Sequence, residues 1–440
     1  MPESAVTARL AQDIGSKKIQ IGVIGLGYVG LPLAVEFARN GFRVIGFDIM
    51  VSKVEALNRG ENYIADVDSE LLADLVKSGL LGATQDFSRL TDTDAISICV
   101  PTPLGKTGDP DLSYILNALQ EVKKYLRPGH MIVLESTTYP GTTEEVLLPE
   151  LQESGLKVGQ DFFLAFSPER VDPGNPQYQT RNTPKIIGGV TPACTEIIGR
   201  LYSSVIERVI PVSSTRAAEM VKLLENTFRS INIGLVNEIA IICNLLNVDV
   251  WEVIDAAATK PFGYMPFYPG PGLGGHCIPI DPSYLSWKLR TLDYRTKFID
   301  LAVEINRGMP GYMVSKVVDA LNDQQQCVRG ARIMILGVSY KRDIDDMRES
   351  PAIDIMKHLR EKGAELVYHD PYVPHFWEDG GTVYSTELTE KTLAEQDCVV
   401  IVTDHSKLDY AWIANHCKLI VDSRNATRGL HGTAARIVKL

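Results

Sequence analysis

Short apolar runs alternate with helix-sized amphipathic segments over about the first 210 residues of the chain. Residues 19–24 form a run rich in β-branched side chains, which predicts a buried strand. Residues 31–39 then show helical periodicity, and residues 43–47 predict a second strand that ends at Asp48. Further runs typical of strands lie at 95–100, 131–134, 162–166 and 186–187. Strands that alternate with helices indicate an α/β fold with a doubly wound parallel sheet.

The pattern changes to continuous helix after this first segment. Between residues 214 and 247 the apolar side chains recur every three or four positions, which predicts one long helix. The side chains that define this period are Met220, Leu223, Leu224, Ile231, Leu235 and Ile239. A shorter helix is predicted at 250–258, followed by an unusual loop at 260–282 and more helix through Asn306. We therefore expect a central helical domain.

The last third of the chain returns to the α/β pattern. Apolar runs at 331–337, 365–369, 398–402 and 419–422 predict strands, and residues 352–360 predict a helix. This second α/β unit has one glycine after its first strand, where the first unit has three. The expected limits are therefore a partly disordered leader at 1–18, a first domain at 19–212, a central domain at 213–308 and a last domain at 309–440.

Composition and charge exclude several classes of protein. The 440 residues carry 44 basic and 55 acidic side chains, a net charge of −11, which argues against a dedicated nucleic-acid or membrane-surface binder. Residues 1–18 lack the apolar segment of a signal peptide, and no apolar stretch approaches the ~20 residues that span a bilayer. The seven cysteines are widely spread with no C-x-x-C pair, which favours the reducing cytoplasm.

The sequence Gly25-x-Gly27-x-x-Gly30 lies between a predicted strand and a predicted helix, as a dinucleotide-binding fingerprint requires. The first glycine allows a tight turn, the second lets a pyrophosphate approach the backbone, and the third lets helix and strand pack closely. Asp48 follows Gly30 by 18 residues, at the end of the next strand, where its carboxylate can accept hydrogen bonds from a ribose diol. This carboxylate would repel a 2′-phosphate, so NAD is favoured over NADP. The alternative is a glycine-rich turn without a ligand.

The loop at 269–281 is the second informative site. Its glycines let the backbone fit closely round a ligand and leave Cys277 with little shielding, which is typical of a nucleophile. Asp281 lies four residues later and could neighbour that thiol. The alternative is a flexible loop with an incidental cysteine. His276 has no partners at zinc-ligand spacing, so we expect no metal.

Three other groups of polar residues are candidates for the same chemistry. Lys222 and Asn226 share one face of the long helix, where together they could stabilise an oxyanion, although a solvated helix face is the simpler interpretation. Glu169 follows a predicted strand, where α/β enzymes place catalytic groups. The segment from Tyr340 to Arg348 offers basic groups for a phosphate, or forms an ordinary charged loop.

Taken in order, these motifs resemble those of the nucleotide-sugar 6-dehydrogenases, the family that includes UDP-glucose and GDP-mannose dehydrogenases. The resemblance covers nearly all of the chain after residue 18, and it implies Rossmann-like first and last domains that bind NAD and UDP. It implies oxidation of a sugar C6 alcohol to a carboxylate with two NAD in succession. By analogy, Cys277 would form a thiohemiacetal and then a thioester. A homo-oligomer, a dimer or larger, is also implied.

The resemblance also assigns roles to individual residues. It implies proton and water handling for Thr137, Glu169 and Asp281, and oxyanion stabilisation for Lys222 and Asn226. The implied cofactor-side residues are Gly25, Gly27, Tyr28, Val29, Gly30, Asp48, Lys53, Thr102, Thr137 and Arg348. The implied substrate-side residues are Glu169, Arg170, Val171, Lys222, Asn226, Tyr268, Gly272, Leu273, Gly274, Tyr340, Lys341 and Arg424.

Departures from the UDP-glucose branch narrow the expected substrate. That branch has a lysine directly before the aspartate, where this chain has Ile280, and Phe-Leu where this chain has Arg170 and Val171. An arginine usual before the glycine loop has no clear counterpart, although Lys260 is nearby, from this chain or from a neighbouring subunit. The run from Gly274 to Pro282 is similar to that of the N-acetylhexosamine branch. UDP-N-acetylglucosamine is the expected substrate, followed by UDP-N-acetylmannosamine, UDP-N-acetylgalactosamine and UDP-glucose.

Two interpretations from other classes stay open on the sequence alone. A two-electron dehydrogenase of the hydroxyacid type would share the first domain and a long helix but would not need Cys277. A catalytically inactive NAD-binding regulator would tolerate losses at Glu169, Lys222, Cys277 or Asp281, all of which are present. The yield of NADH per sugar, two, one or none, separates the three.

Overall fold

The computed structural model describes residues 5–64, 66–105, 109–172, 174–175, 177–275, 278–378 and 380–440. It forms two compact units. The first comprises residues up to Glu225 together with Trp287–Leu292, and the second comprises Asn226–Ser286 and Asp293–Leu440. The central segment 213–308 is shared between these two units, and the three expected domains stay a prediction.

The first unit contains an eight-stranded sheet. Its strands are β1 (Gln20–Ile24), β2 (Arg43–Phe47), β3 (Leu81–Thr84), β4 (Ala95–Ile98), β5 (Met131–Leu134), β6 (Phe163–Phe166), β7 (Lys185–Gly189) and β8 (Val209–Val212). The spatial order is β3-β2-β1-β4-β5-β6-β7-β8. The first six strands are parallel, whereas β7 and β8 run in the opposite direction because β7 pairs antiparallel with β6. The predicted parallel sheet is therefore confirmed, with two reversed strands added at one edge.

Apolar side chains cover both faces of this sheet. On β5, Met131 and Val133 belong to one buried cluster, while Ile132 and Leu134 belong to another. This alternation follows from the two-residue period of a strand and explains why the run is continuously apolar. The helices of the unit are α1 (Ala5–Gly15), α2 (Gly30–Arg39), α3 (Val51–Asn58), α4 (Ser69–Lys77), α5 (Ser113–Lys124), α6 (Leu148–Gln152) and α7 (Pro192–Ser203), with short 3-10 and π turns at Phe87–Asp92 and Thr143–Leu147.

Helix α1 corrects our expectation of a disordered leader at 1–18. Leu10 and Ile14 lie four residues apart on one face of this helix, and they are only 1% and 4% exposed in the core of the first unit. Burial of these two side chains stabilises α1, although residues 1–18 contain no continuous apolar run.

The second unit contains a five-stranded parallel sheet and a small hairpin. The sheet consists of β9 (Arg332–Leu336), β10 (Glu365–His369), β13 (Cys398–Ile401), β14 (Leu419–Asp422) and β15 (Arg436–Lys439), in the spatial order β10-β9-β13-β14-β15. The antiparallel hairpin consists of β11 (His375–Glu378) and β12 (Gly381–Tyr384). The predicted second α/β sheet is confirmed.

Helices complete the second unit and cross its boundary. The long predicted helix is α8 (Thr215–Leu245), which begins in the first unit and continues in the second. The others are α9 (Val250–Ala258), α10 (Asp281–Arg290), α11 (Lys297–Asn322), α12 (Pro351–Glu361), α13 (Glu390–Ala394) and α14 (Tyr410–His416). By length and apolar composition alone, α8 is the one helix of the described chain that could cross a membrane, and the core helix of a soluble protein passes the same test.

Replacement of Leu10 by alanine tests whether α1 is part of the folded core. Loss of a fully buried leucine side chain costs about 2–5 kcal/mol, so we expect a lower midpoint in urea unfolding followed by circular dichroism. Gln12→Ala changes an exposed position of the same helix and should alter the free energy of unfolding by less than about 0.5 kcal/mol. Equal midpoints for the two variants would show that α1 does not stabilise the unit.

Candidate functional site

The carboxyl edge of the first-unit sheet collects most of the residues predicted to bind the cofactor. Parallel strands end at a common edge, and ligands of open α/β sheets bind there. Gly25 directly follows β1, Asp48 follows β2, and Thr102 lies four residues beyond β4. Thr137 and Glu169 each lie three residues beyond the ends of the paired strands β5 and β6. The topology thus places these five residues along one edge.

The glycine fingerprint has the geometry that a pyrophosphate site requires. Gly25 has a φ of +92°, and a Cβ atom there would lie 2.5 Å from the carbonyl oxygen of Cys99. A Cβ atom on Gly30 would overlap the carbonyl oxygen of Gly25, so only glycine allows α2 to begin this close to β1. Gly27 has no heavy atom within 4 Å of the corresponding position. The backbone therefore leaves no room for a side chain at Gly25 or Gly30, whereas the space beside Gly27 is free for a ligand to approach.

Asp48 is oriented by the same turn. Its side chain is 7% exposed, and its Oδ2 and Oδ1 atoms accept hydrogen bonds of 2.9 Å from the amides of Leu26 and Met50. The Lys53 ammonium lies 3.5 Å from Oδ2. A carboxylate has about four lone-pair positions, so two remain for a ribose diol. Val29, at the start of α2, provides no side-chain cap, so the helix N-terminus can face a phosphate.

Glu169 has hydrogen-bond or ion-pair partners at both of its carboxylate oxygens. Its Oε1 accepts from the amides of Arg170 at 2.7 Å and Val171 at 2.8 Å, and the Lys185 ammonium lies 3.1 Å from its Oε2. Burial alone would raise the pKa of Glu169, but Lys185 and the two amides outweigh burial and lower that pKa below its usual value. Glu169 is therefore held as a carboxylate.

The other predicted catalytic and substrate-side residues of the first unit have different surroundings. Lys222 is half-buried on α8, and Thr137 is half-buried beyond β5. The Arg170 guanidinium pairs with both carboxylate oxygens of Glu225, at 2.5 and 3.1 Å, and donates to the carbonyl oxygen of Pro184 at 2.8 Å. Val171 contributes a backbone amide to Glu169 rather than a side chain.

In the second unit, the structure brings together Asn226 and Asp281. The Asn226 side chain, 5% exposed on α8, donates from its amide nitrogen to the carboxylate of Asp281, which is 1% exposed at the start of α10. A buried carboxylate without a partner is costly, so this hydrogen bond fixes both side chains. His276 and Cys277 lie outside the described residues.

The glycines before Cys277 pack against two of the predicted substrate residues. A Cβ atom on Gly274 or Gly275 would lie 2.5 Å and 2.7 Å from side-chain atoms of Tyr340, and one on Gly270 would lie 2.5 Å from the Arg424 guanidinium. Gly275 also donates to the carbonyl oxygen of Arg348 at 2.9 Å. Gly272 has a φ of +134° and borders Pro351. The loop 270–275 is thus closely packed rather than a loose surface loop.

Arg424 is the strongest candidate for binding an anion in this unit. Its Nε donates to the carbonyl oxygen of Val402 at 3.0 Å, and burial lowers its pKa to about 10 although Asp422 opposes that effect. The side chain therefore remains a cation at neutral pH. Leu273 and Lys341 are half-buried in the same unit.

Tyr268 and Arg348, two further predicted residues of the second unit, also have side-chain partners. Tyr268 donates from its hydroxyl to Asp255 at 3.0 Å and stacks on Trp251. The guanidinium of Arg348, the predicted cofactor residue of this unit, pairs with Asp346 at 2.6 Å. Tyr28 is 44% exposed in the first unit.

Among the described residues, no group of three or more His, Cys, Asp or Glu side chains could hold a metal ion.

Sequence reasoning missed two residues that contact the site. Glu135 and Lys185 are 1% and 3% exposed and ion-pair with each other beside Glu169. The available clue was a lysine directly before the apolar pair at 186–187, because a lysine in a buried strand needs a charged partner.

The chain matches the UDP-glucose/GDP-mannose dehydrogenase family over three consecutive segments. The NAD binding domain of that family matches residues 19–206, the central domain matches 216–308, and the UDP binding domain matches 334–429.

Individual relatives support the same family. UDP-N-acetyl-D-glucosamine 6-dehydrogenase of Pseudomonas aeruginosa is 36% identical over 406 residues, 92% of this chain and 94% of that protein. UDP-N-acetyl-D-mannosamine dehydrogenase of Pyrococcus horikoshii is 37% identical over 415 residues, 92% of this chain and 96% of that protein. A solved structure of UDP-D-ManNAc dehydrogenase from Pyrococcus horikoshii superposes with a TM-score of 0.87 at 35% identity, and the alignment covers 96% of this chain and 99% of that one.

Asp48→Ala tests the assignment of the ribose-binding carboxylate. A hydrogen bond to a charged group contributes about 1.5–3 kcal/mol, so NAD affinity measured by calorimetry should fall roughly tenfold or more. Asp370→Ala is the matched control, since Asp370 likewise follows the second strand of its sheet and accepts from the first turn, at 2.7 Å from Val338. It should leave NAD affinity unchanged. An Asp48 variant with normal affinity would mean that the fingerprint has been misassigned.

Gly275→Ala tests the close packing of the loop before Cys277. The new methyl group would meet the Tyr340 ring at a backbone φ of +81°, so the loop must shift and oxidation of UDP-sugar should fall by about tenfold or more while NAD still binds. Gly311→Ala, on the exposed side of α11 with open space round the new methyl group, should preserve activity. Full activity of the Gly275 variant would contradict a role for the loop geometry.

Proposed function

The chain belongs to the UDP-glucose/GDP-mannose dehydrogenase family and is an NAD-dependent UDP-sugar dehydrogenase. From that premise we propose that it oxidises the C6 alcohol of a UDP-N-acetylhexosamine, UDP-N-acetylglucosamine in the first place, to the uronic acid. The oxidation removes four electrons and uses two NAD in succession.

The observation that carries the four-electron assignment is Cys277, four residues before the buried Asp281. NAD, when bound, supplies the hydride acceptor for each oxidation. A base takes the C6 hydroxyl proton as the first hydride leaves, which gives an aldehyde. The thiolate of Cys277 adds to this aldehyde to form a thiohemiacetal. Loss of a second hydride and the hydroxyl proton gives a thioester, and water hydrolyses it to the carboxylate and the free thiol.

The other predicted catalytic residues have chemistry that suits these steps. Lys222 and Asn226 supply a cation and an amide donor for the oxyanion that forms at C6. Glu169, held as a carboxylate, can accept a proton directly or through water, and Thr137 lies at the same sheet edge to help orient that water. Asp281 accepts from Asn226, so the two act as a connected pair.

The second unit is proposed to bind the UDP group. Arg424 offers a half-buried cation for a diphosphate, and Lys341 and Tyr340 lie on the segment that follows β9. Tyr340 also packs against the glycine loop, so the same side chain connects nucleotide recognition with the loop before Cys277. Tyr268, Gly272 and Leu273 are proposed to contribute on the sugar side.

The choice among sugars depends on the sequence round Cys277. Relatives named for UDP-N-acetyl-D-glucosamine and UDP-N-acetyl-D-mannosamine are 36% and 37% identical to this chain, so identity does not separate them. The run 274–282 is similar to that of the N-acetylhexosamine branch, and the sequence Pro-Gly-Pro-Gly-Leu at 269–273 is most similar to that of UDP-N-acetylglucosamine 6-dehydrogenases. The alternatives are UDP-N-acetylmannosamine, UDP-N-acetylgalactosamine and UDP-glucose, in that order.

We further propose that the protein acts as a homo-oligomer, a dimer or larger, in the cytoplasm. Phe228, Leu235 and Ile242 recur every seven residues along α8 and are 44%, 52% and 41% exposed, a spacing typical of helices that associate. The six described cysteines are unpaired, which fits a reducing compartment.

A panel of the four UDP-sugars with NAD tests the function directly. We expect two NADH per sugar consumed, measured by absorbance, with the highest kcat/KM for UDP-N-acetylglucosamine. One NADH per sugar would indicate a two-electron dehydrogenase, and none would indicate a regulator.

Cys277→Ser tests the covalent mechanism. A serine hydroxyl is a poor nucleophile at neutral pH without a dedicated base. Hydrolysis of its ester would also be slower, because an alkoxide is a poorer leaving group than the thiolate of a thioester. We expect almost no uronic acid, with a little aldehyde or a slowly hydrolysed ester detected by mass spectrometry of the protein. Cys327→Ser, at an exposed position elsewhere in the second unit, is the matched control and should retain full activity. Uronic acid formed at the normal rate by the Cys277 variant would exclude a thioester intermediate.

A further inference from the structure

A buried lysine lies between two glutamates at the carboxyl edge of the first-unit sheet. Lys185 begins β7 and forms an ion pair with Glu135, which directly follows β5. The same ammonium lies 3.1 Å from Oε2 of Glu169. The exposed fractions of the Lys185, Glu135 and Glu169 side chains are 4%, 0% and 14%. All three therefore interact in a low-dielectric environment, where charges act strongly on one another.

The reversed direction of β7 brings the lysine to this position. Strand β7 pairs antiparallel with β6, with Phe166 opposite Gly188. Continuing this register past the end of β6 puts Lys185 opposite Glu169. If β7 were parallel to β6, its first residue would lie at the amino edge of the sheet, away from Glu169. The antiparallel strand thus delivers a cation to the edge where the parallel strands end.

The network continues from Glu135 into the protein core. The hydroxyl of Tyr202 donates to Oε1 of Glu135, and that hydroxyl lies 3.0 Å from the hydroxyl of Ser97. The Lys185 ammonium also lies 5.6 Å from the centre of the Tyr202 ring. Both Glu135 oxygens therefore have partners, and this fixed carboxylate in turn holds the Lys185 ammonium beside Glu169.

Other ionisable groups near Glu169 are accounted for. Arg170 is paired with Glu225, at 2.5 Å, and Cys99 is buried, with burial and the charge of Glu135 raising its thiol pKa. Burial would lower the pKa of Lys185, but the two carboxylates outweigh it and raise that pKa above its usual value. Lys185 is therefore the cation that faces Oε2 of Glu169 directly.

We propose that Lys185, held by Glu135, is a positioning residue that keeps the Glu169 carboxylate ionised and in one orientation for proton transfer. Oε1 is fixed by two backbone amides and Oε2 by the ammonium, so the carboxylate cannot rotate. The inference rests on the proposed role of Glu169 in the oxidation. Lys185 and Glu135, which are not themselves the proton acceptor, thereby control the ionisation and orientation of Glu169.

Lys185→Met removes the cation and should raise the pKa of Glu169. An opposite charge within about 4–6 Å lowers a carboxyl pKa by roughly one to three, so the acidic limb of the kcat profile should move up by about one to three pH units. Below that limb, activity should fall about tenfold for each pH unit. Lys185→Arg keeps a cation and should leave the limb close to its original pH.

A second variant separates this effect from misfolding. Lys185→Met leaves Glu135 buried without its cation, which is destabilising. The double variant Lys185→Met with Glu135→Gln removes both charges and retains an amide that can pair with the Tyr202 hydroxyl. It should regain thermal stability and NAD binding but keep the raised acidic limb.

A measurement without substrate makes the outcome independent of the proposed function. Infrared titration of protein labelled with carboxyl-13C glutamate, with Glu169→Gln identifying the relevant signal, reports the pKa of Glu169 directly. We expect that pKa to rise in both methionine variants and not in Lys185→Arg. An unchanged pKa with a lower melting temperature would show that the pair only stabilises the sheet, and overturn the proposal. Wild-type protein that oxidises no UDP-sugar would instead refute the proposed function.

Discussion

Both parallel sheets depend on a glycine at the end of the first strand, where the neighbouring backbone leaves no room for a side chain. Gly25 follows β1 with a φ of +92°, and Gly337 follows β9 with a φ of +79°. A Cβ atom at either position would collide with a carbonyl oxygen beyond the adjacent strand, that of Cys99 in one unit and of Thr403 in the other. This contact sets the path of the chain at the edge where the predicted ligands bind.

An aspartate after the second strand then fixes each turn, and its surroundings decide what the edge can bind. Asp48 accepts from the amides of Leu26 and Met50, with lone pairs left for a ribose. Asp370 accepts from Val338 and Ser339 and is also hydrogen-bonded to the fully buried His405, at 3.0 Å. The amide of Asp343 donates to Nδ1 of His405 and leaves Nε2 to donate to Asp370, so this carboxylate is already paired with a side chain. The two sheets share a turn but not a ligand.

The direction of the strands, as well as the sequence, decides which charged side chains lie at the carboxyl edge of the first-unit sheet. Six parallel strands bring backbone ends and carboxylates together, and repulsion among buried carboxylates would favour their protonation. The antiparallel β7 introduces Lys185 between Glu135 and Glu169, which keeps Glu169 ionised. The reversed direction of β7 therefore changes the charge that surrounds a residue just beyond the end of β6.

The amino-acid pattern predicts those elements whose residues interact with near neighbours along the chain. Strands at 43–47, 365–369 and 419–422 and the helix at 250–258 were predicted with the observed bounds, because burial on both strand faces or one helix face leaves a period in the sequence. The glycine fingerprint was likewise readable, since it is a local backbone requirement. Strand β8 and the β11–β12 hairpin do not stand out in the sequence because short edge strands bury few side chains, and helix α1 does not because residues 1–18 have no continuous apolar run. Which polar side chains come into contact, by contrast, follows from the three-dimensional packing of distant segments. Lys185 and Glu135 are separated by 50 residues, and Asn226 and Asp281 by 55, so no periodicity relates them. These pairs arise from strand order and direction and from helix packing, which long-range burial selects and which local pattern does not specify.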